Sequence, residues 1–501
     1  MSRTTKIWLV FAGIIVFASF LRLYHITTTP TGLYPDEAMD GNNALEVIQT
    51  GHFQVFYVED NGREGLYVNT LVFFIEAFGN KPWVVRFPAA IAGILTVAGM
   101  YFLGEELFGT EVGLLAAFLL GACFWHINFS RIGFRAILAP FCLVWALYFL
   151  IKSFRSSKEL RAWIYVILGG IIFAAGFYTY IAYRVTPLLF LLFIPFFKKY
   201  PHFWKRAAIF TIVAFFIALP IGLYFLHNPG DFFGRTAQIS VTNAKSPLGD
   251  FISNVGKTLA MFNFKGDGNW RQNIAGAPEL FWPVGLLFLL GIVLSAGFLL
   301  WKKMNPQSVI GSPSPEQSKI VNYGFGLWLM FAWFILAILP AAASDEGIPH
   351  ALRSILTLPP AIFFAAFAGV WAYYKIRNNG LKKTATVIML LFVVIVGTNA
   401  YVSYFITWAK NPNLYWAFNE NYVEIGNQIN ALPASTQKYV VVVANAGVLA
   451  RGIPIPAETV MFVTDSFTTS TQIANHITYL LPNQTSTIPA GTPTSTIFYV
   501  D

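Results

Sequence analysis

Charged side chains are scarce in this chain, so the places where they gather are the places where chemistry is available. The tightest gathering is Tyr34-Pro35-Asp36-Glu37-Ala38-Met39-Asp40-Gly41-Asn42-Asn43-Ala44. Pro35 and the acidic pair mark a helix start, and Gly51 suits its end. Asp36 and Asp40 then fall one turn apart, with Asn43 near the same face. Two acids opening a helix can simply complement its dipole. Their position just beyond a long apolar run argues for more, because carboxylates close to lipid are costly and are kept for function. A carboxylate so placed can take the proton of an attacking hydroxyl.

A second cluster, Glu59-Asp60-Asn61-Gly62-Arg63-Glu64-Gly65-Leu66-Tyr67, puts one cation among several carboxylates where an apolar helix begins. A third set is cationic. Arg131 and Arg135 stand at the start of the apolar run 133–151, Arg184 closes Tyr178-Thr179-Tyr180-Ile181-Ala182-Tyr183-Arg184, and His350 and Arg353 share a helix face at i, i+3. Each alone suits a residue reaching for lipid headgroups; together they read as a site for an anionic lipid phosphate. The residue types therefore sort into three roles. Asp36, Glu37 and Glu64 are candidates for catalysis. Arg63, Arg131, Arg135, Arg184, His350 and Arg353 are candidates for holding phosphate. Asp40, Asn43, Asp60, Tyr180 and Tyr183 are candidates for contacts to a sugar or acceptor. A divalent metal ion bridging Asp36, Glu64 and phosphate is compatible with these groups, but no ligand spacing demands it and no cofactor is required.

The elements that must position these residues follow from composition. The chain has 501 residues, 56% hydrophobic and only 11% charged, with 49 Phe, and its mean hydropathy is +0.58. A soluble domain carries roughly a quarter charged residues, so most of this chain cannot face water. That excludes a cytosolic enzyme, a secreted disulfide scaffold and a disordered protein. Cys123 and Cys142 both sit in apolar runs and read as packing residues, too few for a disulfide framework.

A helix needs about 20 apolar residues to cross a hydrocarbon core. Eleven runs qualify or come close: 7–24, 84–104, 112–127, 133–151, 162–182, 184–197, 207–226, 280–301, 322–342, 354–374 and 384–406. The first has a basic start but no small-residue cleavage site, so it reads as an uncleaved anchor. Basic loops at Lys152/Arg155/Lys158/Arg161, Lys198/Lys199/Lys205/Arg206, Lys302/Lys303/Lys319 and Lys375/Arg377/Lys382/Lys383 all fall on the cytoplasmic side, with the N-terminus, only if segment 65–79 does not span. At about 22 Å it is short for a span, and it reads as a helix lying on the outer face. The acidic loop Gly104-Glu105-Glu106…Glu111 then lies inside, against the charge rule. With charges sorted by side, the net charge of +9 is an orientation signal and not the mark of a nucleic-acid partner.

The expected fold is an all-α polytopic membrane domain over 1–406, with outer loops 25–83 and 227–279 and a cytoplasmic Pro/Ser-rich linker at 305–318. A small extracytoplasmic α/β domain is expected over 407–501. In the tail, 415–431 and 470–481 read as helices and 438–444, 459–463 and 495–500 as strands. Walker, HExxH, CxxC and GxSxG motifs are absent.

Three stretches in this order carry a resemblance: Tyr34-Pro35-Asp36-Glu37-Ala38 after the first span, Gly62-Arg63-Glu64-Gly65-Leu66-Tyr67 opening a helix that ends at Phe78-Gly79, and Val85-Arg86-Phe87-Pro88 opening the next span. They resemble the dolichyl-phosphate-mannose protein mannosyltransferase-like group, which has the glycosyltransferase C fold and includes the bacterial lipid A aminoarabinose transferase. The resemblance implies a membrane enzyme, in the plasma (inner) membrane of a prokaryote. Its donor would be a polyprenyl-phosphate sugar and its acceptor a protein, lipid or glycan on the outer face, with membrane lipids around it and inversion at the anomeric carbon. Asp36 matches the acidic residue that such enzymes place at the acceptor. Arg63 stands where many relatives have His or Lys followed by Pro-Pro, and here Glu64-Gly65 replace those prolines. The Trp-Trp-Asp-Tyr-Gly signature of the oligosaccharyltransferase branch is absent. A lipid-linked saccharide flippase and an O-antigen polymerase or ligase are the competing readings; a flippase would make no special use of an outer acidic pair.

Overall fold

Where water is absent, backbone groups must be satisfied within one segment, and long apolar runs accordingly fold as helices. The computed structural model describes residues 1–198, 200, 202–304, 315–444 and 447–501. Among them, nine helices are long and apolar enough to cross a membrane: Arg3–Leu23, Pro82–Phe108, Arg135–Arg155, Glu159–Tyr178, Phe203–His227, Trp282–Trp301, Tyr323–Ala342, Ile355–Asn378 and Lys382–Trp408. The chain is thus a polytopic, predominantly helical membrane protein. The linker expected at 305–318 lies outside the described residues as far as 314.

Two of the eleven expected spans are shorter or broken. The run 112–127 parts at Cys123, whose extended backbone separates helix Thr110–Ala122 from Phe124–Phe129. The run 184–197 becomes three short turns, Ile181–Val185, Pro187–Phe190 and Phe193–Phe197, because Pro187 and Pro195 have no N–H with which to continue a helix. Segment 65–79 forms Leu66–Phe78, 13 residues, too short to cross.

Helix Pro82–Phe108 has 27 residues, about 40 Å, and its two ends show how charge is handled on the two sides. At its far end the acidic loop that broke the charge rule is paired with the basic residues around it. Glu106 meets both Lys152 and Arg155, and Glu111 meets Arg3 at 3.1 Å. Beside it, Gly104 and Gly113 let two helices touch backbone to backbone, since a Cβ on Gly104 would stand 2.7 Å from the Gly113 Cα. At the near end Arg86 pairs with Glu37 at 2.7 Å.

One apolar cluster runs through the bundle, and a second occupies the C-terminal segment, joined to the first region by Met39. That segment holds helix Glu420–Ala431 and a three-stranded parallel sheet. With β1 (Phe56–Tyr57) and β2 (Arg63–Glu64) pairing antiparallel in the first loop, the tail strands are β3 (Lys438–Val442), β4 (Leu449–Ala450), β5 (Ile453–Pro454), β6 (Ile477–Leu480) and β7 (Ile497–Val500). The sheet order is β6-β3-β7, with β4 and β5 forming a separate pair. The strand expected at 459–463 is instead helix Glu458–Val463, because packing outweighs β propensity there: its Phe462 and Val463 press on Gly41 and Gly426. The helix expected over 470–481 stops at Ala474, and its second half becomes β6.

Candidate active site

Helix Pro35–Thr50 opens with a capping box, in which the Glu37 carboxylate accepts from the Tyr34 N–H, and closes on Gly51 in the left-handed region. Its start is therefore fixed, and Asp36 faces a cavity of about 860 Å³. The opposite wall comes from the segments near 135, 180–184, 265–272 and 346–353 and from helix Pro229–Gln238. Seven Arg or Lys and six carboxylates line it, an unusual density for a chain with so few charges.

The β1–β2 turn sets the next group. Asp60, Asn61 and Gly62 all have positive φ, which turns the strand back tightly and brings Asp60 onto Arg63. Arg63 also meets Asp40 at 3.5 Å. Glu64 takes Arg135 at 3.2 Å and Arg184 at 3.6 Å. Arg184 further donates to the Phe232 carbonyl at 2.8 Å and lies 4.2 Å over the Phe232 ring. Across the cavity Arg353 holds Glu346 at 3.0 Å, and Arg235 approaches the same carboxylate at 3.6 Å.

Burial pushes the Asp36 carboxyl up to about 6, with the Asp60 carboxylate adding to the rise and Arg63 and Arg271 opposing it. Burial likewise raises Asp40, against the pull of Arg63. A carboxyl titrating near 6 is ionised at neutral pH and still basic enough to accept a proton. His350, by contrast, is held down to about 3 by burial and by Arg353, Arg271 and Arg235. It enters the site as a neutral ring 3.8 Å from Asp267, not as the cation that its spacing with Arg353 suggested.

The structure brings most of the sequence candidates together. Asp36, Asp60, Arg63, Glu64, Arg135, Tyr180, Arg184, His350 and Arg353 all line the cavity, and Asp40 lines a small annex with Asp36, Arg135 and Tyr180. Four candidates stand elsewhere. Glu37 is sealed behind the helix, 2.7 Å from the Arg86 Nε, and accepts the Gly133 N–H at 2.8 Å. Arg131 is buried, donating to the carbonyls of Leu21 and Thr29 and stacking on Tyr404 and Phe405. Asn43 turns to Glu59 at 3.4 Å. Tyr183 packs inside the bundle between Phe173 and Phe177. For each the reason is the same: proximity along the chain says nothing about which side of a helix or loop faces the cavity.

The sequence reading missed the loop 265–272, which contributes Lys265, Asp267, Asn269, Arg271 and Gln272. Asp267 and Asn269 accept the backbone N–H groups of Asn269 and Arg271 at 2.7 and 3.0 Å, and the turn they make aims Arg271 across the cavity. Its guanidinium lies 3.5 Å from the Tyr34 ring centroid. Among the described residues no ion pair involving Arg271 is formed, whereas Arg63, Arg135, Arg184, Arg235 and Arg353 all have carboxylate partners. The dense Gly, Asn and charge content of Lys265-Gly266-Asp267-Gly268-Asn269-Trp270-Arg271 was the available signal. Among the described residues no group of three or more His, Cys, Asp or Glu is disposed to hold a metal ion, and Glu64 is committed to two arginines.

Residues 67–224 match the family described as dolichyl-phosphate-mannose-protein mannosyltransferase. No curated protein sequence matches the chain. Among solved structures, the archaeal oligosaccharyltransferase AglB from Archaeoglobus fulgidus, in complex with an inhibitory peptide and a dolichol-phosphate, is similar with a TM-score of 0.58 and 14% identity over 92% of this chain and 64% of that one. ArnT from Cupriavidus metallidurans bound to undecaprenyl phosphate gives a TM-score of 0.54 at 13% identity, over 100% of this chain and 90% of that one. The chain spans just under two thirds of the archaeal enzyme's length and nearly all of ArnT's. The likeness is one of fold: this is the glycosyltransferase C architecture, common to both branches.

Proposed function

We propose that the chain is a membrane glycosyltransferase that moves a sugar from a polyprenyl-phosphate-linked donor to an acceptor hydroxyl, inverting the anomeric carbon. The observation that carries this reading is the cavity itself: a carboxylate titrating near 6 facing a wall of arginines, in the fold of proteins whose structures hold dolichol-phosphate or undecaprenyl phosphate.

The chemistry suits these residue types. A sugar phosphate carries its own leaving group, so the paired carboxylates of a glycosidase are not needed. The acceptor oxygen attacks the anomeric carbon opposite the phosphate, and a bond to the acceptor forms as the bond to the phosphate oxygen breaks. The hydroxyl proton passes to Asp36, and the electron pair leaves with the polyprenyl phosphate. Cations placed where that charge builds lower the barrier. Arg271, without a carboxylate partner among the described residues, is the first choice for this role; Arg353 and the Arg135–Glu64–Arg184 group flank it, and neutral His350 can donate a hydrogen bond. Asp40 and Asp60 hold Arg63, and Tyr180 offers a ring and a hydroxyl to the sugar. No resident cofactor enters this scheme.

On this reading the cavity opens on the outer face of a prokaryotic plasma membrane, with the N-terminus inside, the C-terminal segment outside, and segments 110–129 and 181–197 completing two further crossings. A cysteine placed at Gly79 then reacts with an impermeant thiol reagent added outside; labelling only from the cytoplasm reverses the orientation. The reaction is tested with Asp36→Asn and a sugar-loaded undecaprenyl phosphate. Transfer is expected to be lost with donor binding kept, and retained turnover removes Asp36 as the base. A flippase would still carry the lipid across in that variant.

A further inference from the structure

The helix that carries Asp36 is gripped from behind by the C-terminal segment. Phe462 fills the space over Gly41, where a Cβ would stand 2.4 Å from its ring. Thr459 donates to the Leu33 carbonyl at 2.8 Å, and Asn80 donates to the Phe462 carbonyl. Arg451 bridges Glu46 at 2.6 Å and Glu59 at 3.0 Å. In the middle of this seam Glu458 is fully buried. The Asn42 amide donates to its carboxyl at 2.7 Å and to its carbonyl at 3.0 Å. The second carboxyl oxygen has no hydrogen-bond partner among the described residues, and the transfer scheme above makes no use of this group. Yet its field reaches Arg63, the cation that Asp60 and Asp40 share.

We propose that Glu458 is a positioning residue, through which the C-terminal segment holds Asn42 and the Asp36 helix in register with Arg63 and so forms a working part of the cavity. This rests on the reading of the cavity as a lipid-phosphate site. The groups facing Glu458 are Asn42 on the Asp36 helix, Asp60 and Arg63 on the β1–β2 turn, and Arg451 and Tyr479 in the segment itself. Burial pushes its carboxyl up to about 8, against the Asn42 hydrogen bond and the Arg63 charge. At neutral pH it is uncharged, and Arg63 is left to Asp40 and Asp60. Once ionised it becomes a third carboxylate competing for Arg63 and drawing it out of the cavity wall.

Two measurements on the purified full-length protein test this. The first is the affinity for undecaprenyl phosphate from pH 7 to 9.5. Wild type is expected to lose about tenfold, or about 1.4 kcal/mol, and Glu458→Gln, which keeps the shape and the acceptor for Asn42, is expected to stay flat. The second needs no ligand. The native state keeps this proton up to about 8, whereas an unfolded chain releases it near 4.5, so the carboxyl costs stability progressively as pH rises from 4.5 to 8. The thermal midpoint of Glu458→Gln should therefore pull ahead of wild type across that window and hold a constant lead above it. Identical pH profiles for wild type and variant in either measurement overturn the proposal. Should Glu458→Gln fail to fold, Asn42→Ala serves instead: loss of its hydrogen bond moves the affinity fall to higher pH, and an unmoved fall counts against Glu458. If wild type binds no undecaprenyl phosphate at any pH, the cavity reading fails and the thermal series alone decides on Glu458.

Discussion

Asp36 and Glu37 are consecutive carboxylates on one helix, yet they face two different regions. Asp36 looks into the cavity, without an ion-pair partner among the described residues, and burial raises it to about 6, with Asp60 adding to the rise. Glu37 looks into the seam behind, where Arg86 and the N–H groups of Gly133 and Tyr34 take up its oxygens. Arg86 spends its remaining donors on the carbonyls of Pro30 and Gly32. The cavity and the seam use the same residue types to opposite ends. Around Glu37 both carboxylate oxygens are matched, so the cost of removing a partner falls on folding; in the cavity the charges are only partly matched, and the cost falls on a ligand.

Substitutions that move one region and spare the other would sharpen this contrast. The largest effect is expected from Asp36→Asn: transfer slows by about 10²–10⁴, while the thermal midpoint at neutral pH does not fall, because the neutral amide removes the cost of ionising a buried carboxyl. A fall in folded yield instead would place Asp36 with the seam. Arg86→Leu is its mirror, leaving Glu37 buried without its cation at a cost of about 3–5 kcal/mol. Denaturation of the detergent-solubilised protein measures it, and a variant of wild-type stability would dissolve the distinction. Next comes Arg271→Ala, expected to weaken undecaprenyl phosphate binding by about 1.5–3 kcal/mol, the worth of a charge-assisted hydrogen bond. Arg353→Ala should cost less, since Glu346 already neutralises that guanidinium. Equal losses would show that ion pairing inside the cavity does not set phosphate affinity. The smallest expected effect at neutral pH is on the pH profile of kcat/KM. If Asp36, raised to about 6, is the base, activity is nearly full at pH 7 and falls about tenfold per unit below 6. A limb near 4 would mean that Asp36 is no more buried than an ordinary surface carboxylate.

Much of the frame was legible without coordinates. Periodicity is irrelevant to a segment that is apolar all round, so run length located the membrane helices, failing only where Cys123, Pro187 and Pro195 interrupt hydrogen bonding. The Pro35 and Gly51 signals bounded the Asp36 helix closely, since caps are local chemistry. In the tail, 459–463 was misread because its β-branched and aromatic residues pack as a helix against Gly41 and Gly426, a contact across more than 400 residues of chain for the first of them. Within the site, local motifs pointed to Asp36, Arg63 and Glu64, but Glu37 and Arg131 were grouped with them by proximity in sequence alone.

The sequence by itself determined a membrane protein, the positions of most crossings, and the fact that its few charges crowd one set of loops. These follow from composition and from hydrogen bonding along the chain, which need no partner. Only the tertiary structure decided which charges face one another. It turned Glu37 onto Arg86, brought Arg271 from a loop more than 230 residues away to lie over Tyr34, and set Glu458 behind the Asp36 helix. Ion pairing and burial depend on distance in space, and a carboxylate becomes a base or a structural clasp according to what the fold places against it.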